Sequence, residues 1–309
     1  MTNKIIAVQG NNLNNLNPLT DTSIFLAKSG ENKGYKIFYY EPENLSIKNK
    51  KVFANGSFIK IDYSKRKFFK IIKKTNIDLS KVKFILVRQD PPFNLEYIST
   101  TYILDTIKNK VRVINNPTSI RNVSEKLYSM KFINFMPDTI FTKKVEDILY
   151  FYKKYKKIIL KPIHSYSGND IIYVNNKLNK KLILKFIKKH GYIMCQKFLP
   201  KIKFGDKRVF IINGKICGSI SRVPKSGSIL SNMSKGAKPK LIKLTKKEIK
   251  ISNIIAKDLM KEDIYFAGID IIDEKLNGDI NVTSPTGLKT FFDLSNINLA
   301  DYFWKGLRA

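Results

Sequence analysis

The sequence predicts a mixed fold, with an open α/β domain at the front and hairpin-based α+β modules behind it. Three observations carry this. The runs Ile5-Ile6-Ala7-Val8 and Phe84-Ile85-Leu86-Val87 are continuously apolar, as strands buried on both faces are, and a helical stretch separates the first from the next strand. In the last third, Asn213-Gly214 joins two β-patterned runs, a strong short-range hairpin signal. Asp270 sits inside the apolar run Phe266-Ala267-Gly268-Ile269-Asp270-Ile271-Ile272, where a strand would carry an aliphatic residue.

The elements follow in order. Residues 4–8 form a first strand, and a polar Asn-rich loop runs from there through Pro18. Asp21 or Thr22 caps a helix over 22–32 that Gly34 ends, and 35–40 is a second strand, giving a βαβ-like opening. Strand 84–87 ends at Arg88, followed by Gln89-Asp90-Pro91-Pro92, which places a cation where open α/β sheets bind ligands. A helix over 95–107, a strand over 111–115 and an Asn116-Pro117 turn close the first domain. A helix over 119–132 carries Lys126 and breaks near Pro137. A small region follows, with strands at 158–161 and 192–196 and a loop over 164–169. The 209–212 and 215–220 strands form the hairpin. Residues 225–238 are rich in Ser, Gly and Lys and lack an apolar period, so they read as a mobile loop. A helix over 246–260 precedes the Asp270 run, and no internal repeat is present.

Composition excludes several classes. With 309 residues, 43% of them hydrophobic, the chain is long and apolar enough for a large core and is not a disordered sequence. No apolar run approaches the roughly 18–20 residues of a membrane span, and the N-terminal run is too short for a signal peptide. Cys195 and Cys217 alone, in apolar surroundings, imply no disulfide framework and favour a cytoplasmic setting, with no membrane partner. His164 and His190 are too few and too distant for zinc. The net charge of +32 comes from lysine pairs scattered along the chain, amid abundant Asn and Ile. That is the mark of compositional drift, so no specific nucleic-acid partner is expected, although some lysines would attract anionic substrates.

The Asp270 run offers chemistry. An unpaired carboxylate buried there would cost several kcal/mol, roughly, so Asp270 should meet a cation. Asp279 and Asn281 are two apart and share a strand face, adding hard oxygen donors. Such a set, without His or Cys, suits a magnesium ion that also binds substrate phosphate. On spacing alone, a polar hairpin face fits these residues equally well. A turn at Asn277-Gly278 would hold Asp270 and Asp279 roughly 20 Å apart, too far for one ion. A shared site needs the turn centred near Lys275, which predicts a wide turn over 274–277, with Gly278 as a left-handed or bulge residue.

Five strings then carry a resemblance: RQDPPFNLEYISTTYIL from Arg88, INNPTSIRNVSEKL from Ile114, IILKP from Ile158, FLPKIKFGDKRV from Phe198 and DINVTSPTG from Asp279. Together, in this order, they make the chain similar to the bacterial glutathione synthetases, a family of ATP-grasp ligases, over nearly its whole length. The resemblance implies an N-terminal Rossmann-like (pre-ATP-grasp) substrate domain over 1–122 and a two-part ATP-grasp domain over 123–309. Within the latter, 123–200 would cover the nucleotide, and 201–309 would bind metal and substrate and carry the mobile loop 225–238.

The resemblance also implies roles. Lys126 and Lys161 match phosphate-binding lysines, and Ser167 and Gly168 lie in the phosphate loop. Gln196, Lys197, Phe198 and Leu199 match the segment that bonds adenine through its backbone. Asp206, Arg208 and Arg222 match groups facing the metal and the transferring phosphate, with the two arginines catalytic. Asp270, Asp279 and Asn281 match metal ligands, Ser284, Pro285 and Thr286 a substrate-contacting loop, and Arg88 a residue of the dipeptide pocket. Read from the residues alone, Lys161 could equally be a solvated strand end, and Arg208 a surface partner of Asp206. The implied reaction phosphorylates the cysteinyl carboxylate of γ-glutamylcysteine with ATP and magnesium, or manganese in its place. Glycine then attacks the acyl phosphate, in a homo-oligomer that the family suggests is a tetramer.

The chain departs from the family at several points. His164-Ser165-Tyr166-Ser167-Gly168 replaces Asp-Gly-Met-Gly-Gly, Leu230 stands in place of a lid arginine, and Asp279 replaces a glutamate after one extra residue. Gln9-Gly10-Asn11 replaces Met-Asp-Pro, Gln89 a lysine and Gly287 a cysteine. Another ATP-grasp carboxylate–amine ligase, or a paralogue that binds nucleotide or nucleic acid without efficient catalysis, would also carry such changes.

Overall fold

The computed structural model describes residues 4–307 and builds three sheets. In the first, Ile5–Gln9 lies parallel between Lys36–Tyr40 and Phe84–Val87, and Arg112–Ile114 follows in parallel. Asp21 caps the helix Thr22–Asn32 by accepting from the Ile24 amide at 2.7 Å, as the sequence predicts. An antiparallel extension, Leu45–Lys48, Lys51–Ile61 and Phe69–Asp78, completes the sheet. The last of these gives no sequence signal, because Phe69–Asp78 is an edge strand whose residues are largely exposed and lysine-rich, whereas Lys51–Ile61 buries alternate residues, among them Val52, Ala54, Ile59 and Ile61. An exposed edge strand needs no apolar alternation.

The second sheet is antiparallel, in the order Ile172–Val174, Ile158–Pro162, Ile193–Lys197, Thr139–Thr142. Helices Val145–Tyr155 and Lys180–His190 cover one face, packing Ile148, Phe151, Ile183 and Phe186 on Leu160 and Cys195. The third sheet runs Lys238–Leu241, Lys215–Val223, Asp206–Ile212, Phe266–Ile272, Lys275–Asn281. Its Asn213-Gly214 turn has both residues left-handed, at φ 50° and 68°, as a two-residue hairpin demands. Helix Lys246–Lys261, opened by a Thr245/Glu248 capping box, buries Ile251, Ile255 and Leu259 on one face of this sheet.

The opposite face turns towards the first domain. Phe210, Ile212 and Phe266 share a core with Ile6, Leu26 and Phe84, closed by Phe303 and Trp304 of the C-terminal helix Leu299–Leu307. The Trp304 indole donates to the Leu26 carbonyl at 2.9 Å. Among the described residues no helix is long and apolar enough to cross a membrane.

Two expectations need correction. The helix expected over 119–132 is broken: an α-helix spans Pro117–Asn122, a 3-10 stretch spans Leu127–Phe135, and Lys126 stands at the join. Here tertiary bonds replace helical ones, since the Glu125 carbonyl accepts from the Ile280 amide at 2.9 Å. The wide turn expected over 274–277 is also absent. Asp273 and Glu274, at φ 50° and 58°, form a tight turn that pairs Ile272 with Lys275. The register then skips: Ile271 faces Leu276, but Ile269 faces Ile280. Asn277, Gly278 and Asp279 thus bulge opposite Asp270, and Gly278 is left-handed at φ 86°, as expected. A Cβ there would come within 2.5 Å of the Met194 methyl.

Candidate functional site

The period of two along a strand places the charged residues. Asp206 and Arg208 lie on the same face of their strand as Phe210 and Ile212, so the face that buries aromatics at one end presents ions at the other. Across the sheet, Arg222 pairs with Asp206 and Asp270 with Arg208. The ion pairs follow this register. Arg208 grips Asp270 with two bonds, Nε to Oδ1 at 2.5 Å and Nη2 to Oδ2 at 2.9 Å. Arg222 grips Asp206 likewise, at 2.8 and 2.5 Å, and its Nη2 also lies 3.0 Å from Asp270 Oδ2. Arg208 is therefore not the surface partner of Asp206 that its spacing allowed. Both arginines are buried, and Asp270 meets two cations where one was expected.

The bulge supplies the second half of the site. Asp279 receives Lys161 at 3.2 Å and Lys126 at 3.5 Å, and Lys161 also donates to the Asn277 carbonyl at 2.7 Å. Lys161 is a buried residue of the Ile158–Pro162 strand, not a solvated strand end. Asn281 stands beside them, its Nδ2 bonded to the Gly268 carbonyl at 3.0 Å and 3.5 Å from Asp270.

These contacts set the protonation states. Burial pushes the Asp270 carboxyl up, but Arg208 and Arg222 outweigh it and hold the group well below the usual range. Burial likewise raises Asp279, and Lys161 and Lys126 more than reverse that. Asp206 goes the other way: burial raises it, Arg222 offsets only part, and the neighbouring Asp270 charge adds to the rise. His164 is lowered by burial and by Lys126, so it stays neutral near pH 7.

Lys126, Lys161, Asp206, Arg208, Arg222, Asp270, Asp279 and Asn281 line one cavity between the second and third sheets, together with Ser167, Gly168, Gln196, Lys197, Phe198 and Leu199, whereas His164 lies outside it. The Gln196 side chain donates to Thr139 at 3.0 Å, so its amide is held by the neighbouring strand. The Lys197 and Phe198 amides donate to Asp138 and Lys157 carbonyls. Ser167 and Gly168 both adopt positive φ, 54° and 71°, so the loop still turns although it has lost two of the three glycines. Residues 229–232, from the loop 225–238, close the cavity. The Ser231 hydroxyl donates to Asp206 at 2.5 Å, and a Cβ on Gly168 would meet Asn232 at 2.5 Å. Free space is only about 100 Å³, well below the ~300–1,000 Å³ of ordinary ligand pockets.

Ser284 and Thr286 line an adjoining cavity that also reaches Arg208, Arg222 and Asn281. Arg88 is buried: Nε donates to Ser23 at 3.1 Å and Nη2 to the Pro285 carbonyl at 2.9 Å, which leaves Nη1 without a protein partner among the described residues. It braces the 283–286 turn through the Pro285 carbonyl, and its own carbonyl accepts from the Ser284 hydroxyl at 3.2 Å.

A divalent ion fits the donor chemistry, since Asp270, Asp279 and Asn281 offer only oxygen and share one cavity. Among the described residues, however, no three His, Cys, Asp or Glu side chains gather as a ready cage. A metal here would come with phosphate oxygens. Sequence reasoning missed Asn277, Ser231, Asn232 and Glu125. The signals for them were indirect: Ser231 and Asn232 lie in the loop 225–238, Asn277 in the segment 274–277 expected to turn, and Glu125 beside Lys126 in the NVSEKL string.

Known proteins bear out the likeness. A family model described as the prokaryotic glutathione synthetase N-terminal domain matches residues 5–121, and one described as the ATP-grasp domain of the same family matches 125–296. The glutathione synthetase of Mesorhizobium japonicum is 34% identical over 308 residues, 98% of each chain. That of Buchnera aphidicola subsp. Schizaphis graminum is 35% identical over 289 residues, covering 92% of this chain and 90% of its own. Among solved structures, a D-cycloserine synthetase superposes with TM-score 0.67 at 10% identity over 98% of both chains. The D-alanyl-alanine synthetase A of Vibrio cholerae superposes with TM-score 0.61 at 13% identity, over 100% of this chain and 98% of that one. These two show the fold alone.

Proposed function

The chain belongs to the prokaryotic glutathione synthetase family, and we propose that the cavity between its second and third sheets is where ATP activates a dipeptide carboxylate. It is an ATP-dependent carbon–nitrogen ligase that joins glycine to γ-glutamylcysteine, giving glutathione, ADP and phosphate. The observation that carries the site reading is the pairing of Arg208 and Arg222 with Asp270 and Asp206 on the cavity face.

Lys126 and Lys161 leave Asp279 for the nucleotide phosphates, and Lys197–Leu199 meets the adenine through main-chain groups that the sheet leaves free. A cysteinyl carboxylate oxygen attacks the terminal phosphorus as ADP leaves. Arg208 and Arg222, fixed and dry, stabilise the charge on the transferring phosphoryl group more strongly than water could. The glycine nitrogen then attacks the acyl carbon, loses its proton, and phosphate departs. Asp270, Asp279 and Asn281 would hold magnesium, or manganese, which neutralises phosphate charge when bound. Arg88 and the 284–286 turn shape the dipeptide end, and closure of 225–238 keeps water from the acyl phosphate. The same reading carries a cytoplasmic, homo-oligomeric enzyme.

The test is ADP formation with each substrate omitted in turn. Turnover should need ATP, γ-glutamylcysteine and glycine together. Activity no higher than that of Lys161→Ala at saturating magnesium would remove the ligase reading, and turnover that ignores γ-glutamylcysteine would move it to another carboxylate substrate.

A further inference from the structure

Resting on that reading, we propose that Glu125 is a positioning residue for the dipeptide side of the reaction. Its Oε1 accepts three hydrogen bonds from one turn: Val282 amide at 3.1 Å, Thr283 amide at 3.3 Å and Thr283 hydroxyl at 2.8 Å. Its own carbonyl accepts from the Ile280 amide at 2.9 Å. Four bonds thus tie one residue to the stretch that links Asp279 and Asn281 to Ser284–Thr286. Arg88 and Thr22 hold the far end of that stretch, through the Pro285 carbonyl and the Gly287 amide.

Glu125 also borders both the nucleotide cavity and the adjoining one that Ser284 and Thr286 line. The next residue, Lys126, reaches Asp279 and the Ser165 carbonyl. One peptide therefore places a phosphate-facing lysine and the substrate-facing turn. A carboxylate suits the task because two main-chain amides and a hydroxyl converge on one oxygen, and an anionic acceptor makes each bond stronger. Loss of the side chain would leave the Val282 and Thr283 amides without their acceptor, and the turn would reorganise.

Glu125→Gln keeps an oxygen acceptor at the same reach, whereas Glu125→Ala removes it. The expected result for Ala is a rise in the γ-glutamylcysteine KM of about tenfold, with the ATP KM changed less than about twofold and Gln restoring most of the loss. Thr283→Val should raise the dipeptide KM by a smaller factor, and the Ala/Val double variant should be no worse than Ala alone, as coupled partners are. Amide hydrogen exchange at Val282 and Thr283 should quicken in Glu125→Ala and remain slow in Glu125→Gln. If Ala does not fold, Thr283→Val and Glu125→Gln still decide the matter. Equal losses for ATP and dipeptide, additive single effects, a Gln variant as poor as Ala, or unchanged exchange would each overturn the proposal. A wild-type protein without γ-glutamylcysteine-dependent turnover would instead remove the ligase reading, while exchange would still report whether Glu125 holds the turn.

Discussion

Asp270 and Asp279 sit nine positions apart, share a face and a cavity, and are neutralised in opposite ways. Asp270 is held by two arginines of its own sheet, one its direct cross-strand partner, so its cations are as fixed as the strands that carry them. Asp279 is held by two lysines from outside that sheet, Lys161 on the covering sheet and Lys126 at a helix break. A planar guanidinium gripping a carboxylate twice is a permanent fixture, and an ammonium on four methylenes is one that can be drawn away. On the proposed reading, the inner half of the site is therefore built before any ligand arrives, and the outer half is completed by the ligand.

The largest effect should come from breaking the fixed half. Arg222→Ala leaves Asp206 without its two bonds and Asp270 with one arginine where it had two, all in buried surroundings. Removing one partner of a buried ion pair costs about 3–5 kcal/mol, and losing a preorganised charge at a phosphoryl group costs about 10²–10³ in kcat. Urea unfolding and single-turnover ADP formation would measure the two. Wild-type stability together with a kcat loss below tenfold would show that Arg222 faces neither task.

Breaking the exchangeable half should give a smaller loss and a change of sign. Lys161→Ala removes a proposed phosphate partner, so nucleotide affinity should fall by about 10–100-fold, the range of one charge-assisted contact. The same change frees Asp279, so Mn²⁺ binding to the nucleotide-free protein should strengthen. In the wild type the two ligands should favour each other by an equal factor in either direction, because linkage is reciprocal. Titration of Mn²⁺ by electron paramagnetic resonance, with and without a non-hydrolysable ATP analogue, would show this. Weaker metal binding in Lys161→Ala would mean that the lysine does not compete for Asp279.

The contrast also marks what the sequence could reveal. Asp270 was legible because a carboxylate in an apolar run must meet a cation, and the cation could be expected without knowing which. The Asn213-Gly214 hairpin and the parallel strands were legible from local chemistry, in which two left-handed residues or a run of aliphatics leave few alternatives. The bulge at Asn277–Asp279 was legible only in Gly278, since a tight Asp273-Glu274 turn followed by a register skip has no composition of its own. The break at Lys126 was invisible for a similar reason. Glu125 reads as a good helix former, and the bonds that pull it out of a helix come from residues 280–283, far along the chain. The hold of the loop 225–238 on Asp206 through Ser231 was likewise hidden, because a serine in a polar loop carries no signal of its partner.

The smallest effect concerns acid, and it separates the two carboxylates that share Arg222. Asp270 lies below its ordinary value, because Arg208 and Arg222 outweigh burial. Its contribution to stability is therefore complete above about pH 3.8, its value when unfolded, and is lost as pH falls below that. Asp206 lies above the same ordinary value, because burial and the Asp270 charge exceed the pull of Arg222. Its linkage has the opposite sign: what it contributes is present below about pH 3.8 and declines as pH rises through its raised folded value. Compared with wild type, Asp270→Asn should thus lose its disadvantage only in strong acid, whereas the disadvantage of Asp206→Asn should be greatest there and shrink towards neutrality. Protonation of Asp206 also weakens the acceptor that Ser231 uses, so limited proteolysis within 225–238 should quicken as pH falls, before the fold itself loosens. Unfolding free energies of both variants from pH 3 to pH 7 would show the two slopes. Slopes of the same sign would mean that Asp206 and Asp270 titrate as one equivalent pair, and the division between a fixed and a softer carboxylate on Arg222 would fall.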